Sequence, residues 1–275
     1  MTTGNRDGLW LFFAMTFAIS LVTWGAMAIA GIPGASTDPA APPPSAAGLL
    51  LLMLGGFAPS ISGVVLTRRL QGAAGLRSLW QRARQLALGW KAYAVIVGLP
   101  VLLVAVRAAV FAAGGGVAGR SLLLDSPAAL IAFIVQIALF GPISEEFGWR
   151  GFALERMLRR WTAPRASLLL GALWALWHLP LFFIIGTSQW RLGNVWMEFP
   201  VFALVPIGAA FVYTWLHQVT RGSLWAALLF HFTANLCISW WATLADDGLE
   251  GRLAASAVMA LAAVVVAIGW RKRPA

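Results

Sequence analysis

GPISEEFGWRG, residues 141–151, closes a long apolar run with two adjacent carboxylates, Glu145 and Glu146, and a cation, Arg150. An ionisable group beside hydrocarbon needs a partner, a water-filled space or a neutral state, so such groups are functional candidates. In a helix Glu146 and Arg150 stand four residues apart on one face and can pair. Glu145 points about 100° away at the 3.6-residue period. It lacks that partner and reads as the freer base.

The rest of the chain explains why charge is scarce here. Of 275 residues 60% are hydrophobic and 11% charged, whereas a soluble domain carries about 25% charged residues. Apolar runs of about 20 residues, enough to cross a bilayer as a helix, recur from end to end. They predict an all-α fold: a polytopic transmembrane bundle of about eight spans, near 9–30, 49–67, 91–113, 128–148, 166–186, 197–217, 223–243 and 253–270. One membrane-embedded domain is expected over 1–275, with N-terminal helices in 9–113 and a catalytic core in 128–243. Residues 9–30 read as a first membrane helix rather than a cleaved signal, because the run is long and Arg6 is offset by Asp7.

A net charge of +10 does not point to nucleic acid. With the N-terminus in the cytoplasm, sixteen of the twenty basic residues fall in inner loops and tails, among them Arg6, Arg68, Arg69, Lys91, Arg221, Lys272 and Arg273. Arg120, Arg191 and Arg252 fall outside, and Arg107 lies within a span. This asymmetry predicts an integral protein of the cell membrane with both termini cytoplasmic. The acidic residues Asp38, Asp125, Glu198, Asp246, Asp247 and Glu250 fall on the outer side.

The outer loop 31–48, with Pro42, Pro43 and Pro44, reads as an extended spacer. The inner stretch 68–90 differs: Leu76, Leu79, Trp80, Ala83, Leu86, Ala87 and Trp90 recur at helical spacing between arginines. It predicts an interfacial amphipathic helix with its arginines toward lipid phosphates. A single cysteine, Cys237, excludes an intrachain disulfide and reads as core. There is no Gly-rich phosphate loop.

Three polar sites occupy successive spans in the second half. They are Glu145, Glu146 and Arg150; His178, with Trp174 one turn before it; and His231 with Asn235, four residues apart on one helical face. Alone, a His or Asn reads as interhelical glue and a Glu–Arg pair at a helix end as a mark of the interface. Together they supply bases and hydrogen-bond donors, the parts needed to attack a carbonyl with water. Trp149, Trp174 and Trp177 are placed to wall such a site. His217 beside Arg221 reads as interfacial.

These three motifs resemble those of the CAAX protease and bacteriocin-processing (CPBP, or Abi) family of intramembrane proteases, which includes the type II CAAX prenyl endopeptidases. Glu145, Glu146 and Arg150 match the first motif. Trp174, standing where Phe is usual, and His178 match the second, and His231 and Asn235 the third. The resemblance implies an intramembrane endopeptidase acting on a membrane peptide or protein. Glu145 and His178 would activate water, His231 and Asn235 would hold the oxyanion, and Glu146, Arg150 and Trp174 would support them. No cofactor is favoured; the alternative is zinc on Glu145, His178 and His231, a common donor set, although no H-E-x-x-H helix is present. A proton-coupled transporter and a non-catalytic binding or immunity protein are the rival readings.

Overall fold

A computed structural model describes residues 7–34, 44–246 and 248–271. Arg6, Asp38, Pro42, Pro43, Asp247, Lys272 and Arg273, used above in reading the loops and tails, lie outside the described residues. Among those described there are helices and no strands: α1 (Leu9–Ala30), α2 (Ala46–Ala83), α3 (Trp90–Ala113), α4 (Pro127–Ala138), α5 (Ser144–Gly148), α6 (Leu154–Leu158), α7 (Ala163–His178), α8 (Val195–Val219), α9 (Leu224–Ala242) and α10 (Gly248–Arg271). Eight helical stretches are long and apolar enough to cross a membrane; the fourth is the composite Pro127–Leu158. The chain is an integral membrane protein of the expected helical class.

Hydrogen bonds between loops sort the connections to two ends, as alternating spans require. At one end Gln85 donates to the Thr220 carbonyl and Ser223 to the Gln85 carbonyl, while Arg82 pairs with Glu155. At the other, Gly34 N–H meets the Ile185 carbonyl and Gly119 N–H the Leu244 carbonyl. Arg252 holds Glu198 there through two bonds of 3.0 and 2.7 Å, tying α10 to α8.

The fourth span is not the continuous helix expected over 128–148. It breaks at Phe140 (φ −94°, ψ 84°) and Gly141 (φ 144°, ψ −93°), where Pro142 also lacks an N–H to continue the ladder. Broken backbone at membrane depth needs other partners for its polar groups. Here Ser144 Oγ accepts from Gly141 N–H, and Ser60 Oγ of α2 donates to the Ile143 carbonyl.

Beyond the break, every residue from Ser144 to Leu154 is buried, so the glutamate segment runs through the middle of the bundle. Close approach to α2 makes this possible. A Cβ on Gly63 would stand 2.8 Å from the Gly148 Cα, a small-residue crossing of the kind that drives helix packing in lipid. Trp149 and Phe152 carry the contact outward to Phe12 of α1, at ring separations of 5.5 and 5.3 Å. Helix α9 packs on the segment, α7 and α8 reach it through the side chains of Trp174 and Tyr213, and α3 packs on α9 and α10.

The inner stretch 68–90 also departs from expectation. The helix is a continuation of α2 through a bend at Gly72 (φ 67°, ψ −157°), and it ends at Ala83 rather than Trp90. Leu79 and Ala83 turn inward as the periodicity required, but Leu86 and Trp90 are exposed, Trp90 opening α3 after Gly89 (φ 80°). Arg82 faces protein, not lipid phosphate: besides Glu155 it binds the Gly151 carbonyl at 2.8 Å. Cys237 is half-buried rather than core.

Candidate active site

The three polar sites come together. Helix α5 supplies Glu145 and Glu146, with side chains 6% and 0% exposed, and the wide turn Trp149–Ala153 supplies Arg150, 2% exposed. Arg150 Nη1 binds Glu146 Oε1 at 2.8 Å, the i,i+4 pair expected from spacing. The same carboxylate oxygen meets His231 Nδ1 of α9 at 2.7 Å. Glu146 therefore joins two helices through one oxygen.

Glu145, read from the sequence as lacking a partner, has one. Trp174 of α7 donates its indole N–H to Glu145 Oε2 at 2.5 Å. The backbone carbonyl of Trp174 accepts from His178 Nδ1 at 2.8 Å. A Phe in that position would keep the ring and the carbonyl but lose the indole donor. No direct hydrogen bond joins His178 to the glutamates or His231 among the described residues; Trp174 is the link. Trp177 and Trp149 face away toward α1, where Trp177 Nε1 binds Ser20 Oγ at 2.7 Å, so of the three tryptophans only Trp174 borders the carboxylates.

Both histidines have Nδ1 facing an acceptor, so that in the neutral ring the proton sits on Nδ1 and the lone pair on Nε2. His231 Nε2 and Asn235 Nδ2 converge on Gly141: a Cβ there would sit 3.0 Å from the first and 2.6 Å from the second. The helix break thus opens the space in front of these two groups. Sequence reading gave Gly141 no role, although a Gly-Pro pair inside an apolar run is a breaker signal.

A zinc set of Glu145, His178 and His231 is not assembled. Among the described residues no three of His, Cys, Asp and Glu stand close enough to hold a metal ion. The donors are spread around the Trp174 ring, 5.8 Å from the His178 ring and 5.6 Å from that of His231.

Arg150 has a second set of neighbours that sequence did not reveal. Its guanidinium lies in the corner formed by two aromatic rings at 79° to each other, Trp174 at 4.1 Å and Tyr213 of α8 at 3.6 Å from carbon to ring centroid. Among the described residues its Nε and Nη2, like Glu146 Oε2, are buried with no hydrogen-bond partner. His217 lies in the last turn of α8, half-buried above the Gly222 turn, at the far side of Arg150 from the carboxylates.

Residues 127–237 match the family described as type II CAAX prenyl endopeptidase Rce1-like, a stretch that holds every candidate residue from Glu145 to Asn235. Over 106 residues the chain is 34% identical to a protein of Methanococcus maripaludis named CAAX prenyl protease 2. The aligned part covers 38% of this chain and 38% of that protein. The family resemblance carried by the three motifs is borne out over this segment.

Proposed function

We propose that this chain, with its Rce1-like core, is an intramembrane endopeptidase that hydrolyses a peptide bond in a membrane-associated peptide or protein. The observation that carries the reading is the convergence of Glu145, Trp174, His178, His231 and Asn235 from three helices, within the segment that matches the Rce1-like family.

In this mechanism the Glu145 oxygen not held by Trp174 takes a proton from water, and hydroxide adds to the scissile carbonyl carbon. His178 presents an Nε2 lone pair as a second acceptor that orients the same water. Negative charge gathers on the former carbonyl oxygen. Asn235 Nδ2 donates to it as it stands, and His231 Nε2, protonated from bulk water before the attack, donates as the second group, with Glu146 beneath as counter-charge. Glu145 then gives its proton to the leaving nitrogen, and the C–N bond breaks. Arg150 keeps Glu146 in place.

The reading includes a cell-membrane location with both termini cytoplasmic, in keeping with the basic asymmetry of the loops. Prenylated C-a-a-X tails are one substrate class consistent with the relative's name. The test is a substrate trap. Purified protein and a Glu145→Gln variant are reconstituted in proteoliposomes with membrane-anchored peptides, and new termini are read by mass spectrometry. New termini confined to the unmodified protein are expected. No cleavage by either, together with gradient-driven proton uptake, would replace the protease by a transporter.

A further inference from the structure

Tyr213 is a residue to which neither the motifs nor the mechanism assigns a role. It sits in the middle of α8, 3% exposed, outside all three motifs. Its ring packs edge-on to Trp174 (5.9 Å), Phe230 (5.0 Å) and His231 (6.4 Å). Its face, however, is given to Arg150, 3.6 Å away and the closest cation–ring approach at the site.

Arg150 is short of other restraints. Among the described residues its five donors make one hydrogen bond, to Glu146 Oε1, and the two nitrogens Nε and Nη2 are buried without partners. A planar cation so placed can pivot about that single bond. What seats it is the pair of rings, Trp174 and Tyr213, whose planes stand at 79° so that the guanidinium lies in the corner between them, since a cation is drawn to the negative face of an aromatic ring. The oxygen Arg150 grips is also the oxygen that receives His231 Nδ1. The orientation of His231 therefore depends on Arg150 through Glu146.

We propose that Tyr213 is a positioning residue: its ring face, steeply inclined to that of Trp174, seats Arg150 in the corner between the two rings, which holds Glu146 where it fixes His231 with Nε2 turned to the reacting carbonyl. The proposal rests on the protease reading for its kinetic consequence, though not for its structural one. The relay is Tyr213 to Arg150 to Glu146 to His231, across α8, the turn after α5, α5 and α9. The hydroxyl is not part of it; the ring face is.

The experiment compares Tyr213→Leu, Tyr213→Phe and pentafluorophenylalanine at 213 in the full-length protein, labelled with 15N in its three histidines. Ring nitrogen signals of His231 are assigned by loss in His231→Gln and read without substrate; His178 and His217 serve as controls. Tyr213→Leu is expected to turn the single Nδ1–H form of His231 into a mixture of ring states. It is also expected to lower kcat about 100-fold with KM little changed, the size of effect that a misplacement of about 1 Å brings. Tyr213→Phe should match the unmodified protein in both. The fluorinated ring has the same planar shape, is slightly larger and carries a reversed charge distribution, so it should behave as Leu does; it also serves as the test should Tyr213→Leu fail to fold. A fluorinated variant with the His231 signals and kcat of Tyr213→Phe would reduce Tyr213 to a space-filling residue and overturn the proposal. So would failure of Phe to restore the leucine defect. A protein that cleaves nothing sinks the protease reading alone, because the ring signals still report the clamp.

Discussion

Trp174 touches Glu145 and His178 with different atoms, donating its indole N–H to the carboxylate at 2.5 Å and offering its carbonyl to His178 Nδ1 at 2.8 Å. One residue thereby sets the direction of both groups assigned to water activation. Trp174→Phe keeps the ring over Arg150 and the backbone bond but removes the donor. A buried carboxylate oxygen left without its hydrogen bond costs about 2 kcal/mol. The variant is expected to unfold at lower temperature and to lose kcat by about 10- to 100-fold, the range for misdirected acid–base groups. Equal kcat in Trp174→Phe and the unmodified protein would show that the indole bond does not orient Glu145.

The donors proposed for zinc do not converge, and His231 Nδ1 is already committed to Glu146. Strong chelators are accordingly expected to leave cleavage unchanged. Metal analysis of active protein is the matching measurement. One equivalent of zinc whose removal abolishes turnover and whose return restores it would show that the site closes around a metal during catalysis.

Gly141 holds a backbone conformation, φ 144° and ψ −93°, that a side chain resists at a cost of about 1–3 kcal/mol. It also leaves empty the position that a Cβ would take against Asn235 and His231. Gly141→Ala is expected to reduce kcat at least as much as Asn235→Ala, because it pushes both oxyanion donors aside. Ser60→Ala, which removes a hydrogen bond to the neighbouring Ile143 carbonyl without filling the site, serves as comparison and should have the smaller effect. The reverse order would place the function of the break in packing rather than in the oxyanion site.

How far the sequence reaches is visible in these residues. Apolar runs located all eight spans, because span length answers to bilayer thickness and needs no tertiary information. The Glu146–Arg150 pair was legible because four residues along a helix is a local distance. The contacts that turn the polar groups into a site were not. Glu146 and His231 are 85 residues apart in the chain, and Trp174 meets Glu145 across 29. Only the crossing of α5 with α7 and α9 sets those distances. Tyr213 was hidden for another reason: an aromatic in an apolar span has the same signature whether it fills space or faces a cation. The inner helix was misplaced at its end because Leu86 and Trp90 keep the helical period while Gly89 leaves the helical region.

Loops 31–48 and 68–90 follow α1 and the membrane portion of α2, and hydrogen bonds place their neighbours at opposite ends of the bundle. Reporter fusions in the two loops are expected to read opposite sides, with 68–90 in the cytoplasm as the arginine content requires. Finding both loops on one side would break the eight-span alternation.

Glu145 and Glu146 are neighbours in sequence with unlike partners, and that difference separates their variants. Among the described residues the Glu145 side chain hydrogen-bonds only to Trp174, so Glu145→Gln preserves shape and removes proton acceptance. It should fold normally and lose turnover. Glu146 holds Arg150 and His231 on one oxygen. Glu146→Gln leaves a buried cation short of its counter-charge, which costs about 3–5 kcal/mol, and loosens His231 as well. It should lose stability together with activity, and Arg150→Met in the same background should recover stability but not activity, since the stranded charge is gone while His231 stays unheld. Cleavage rate and thermal unfolding in detergent decide the matter. A Glu145→Gln protein that still cleaves at a normal rate, beside a Glu146→Gln protein that is fully stable and inactive, would exchange the two roles and make Glu146 the base.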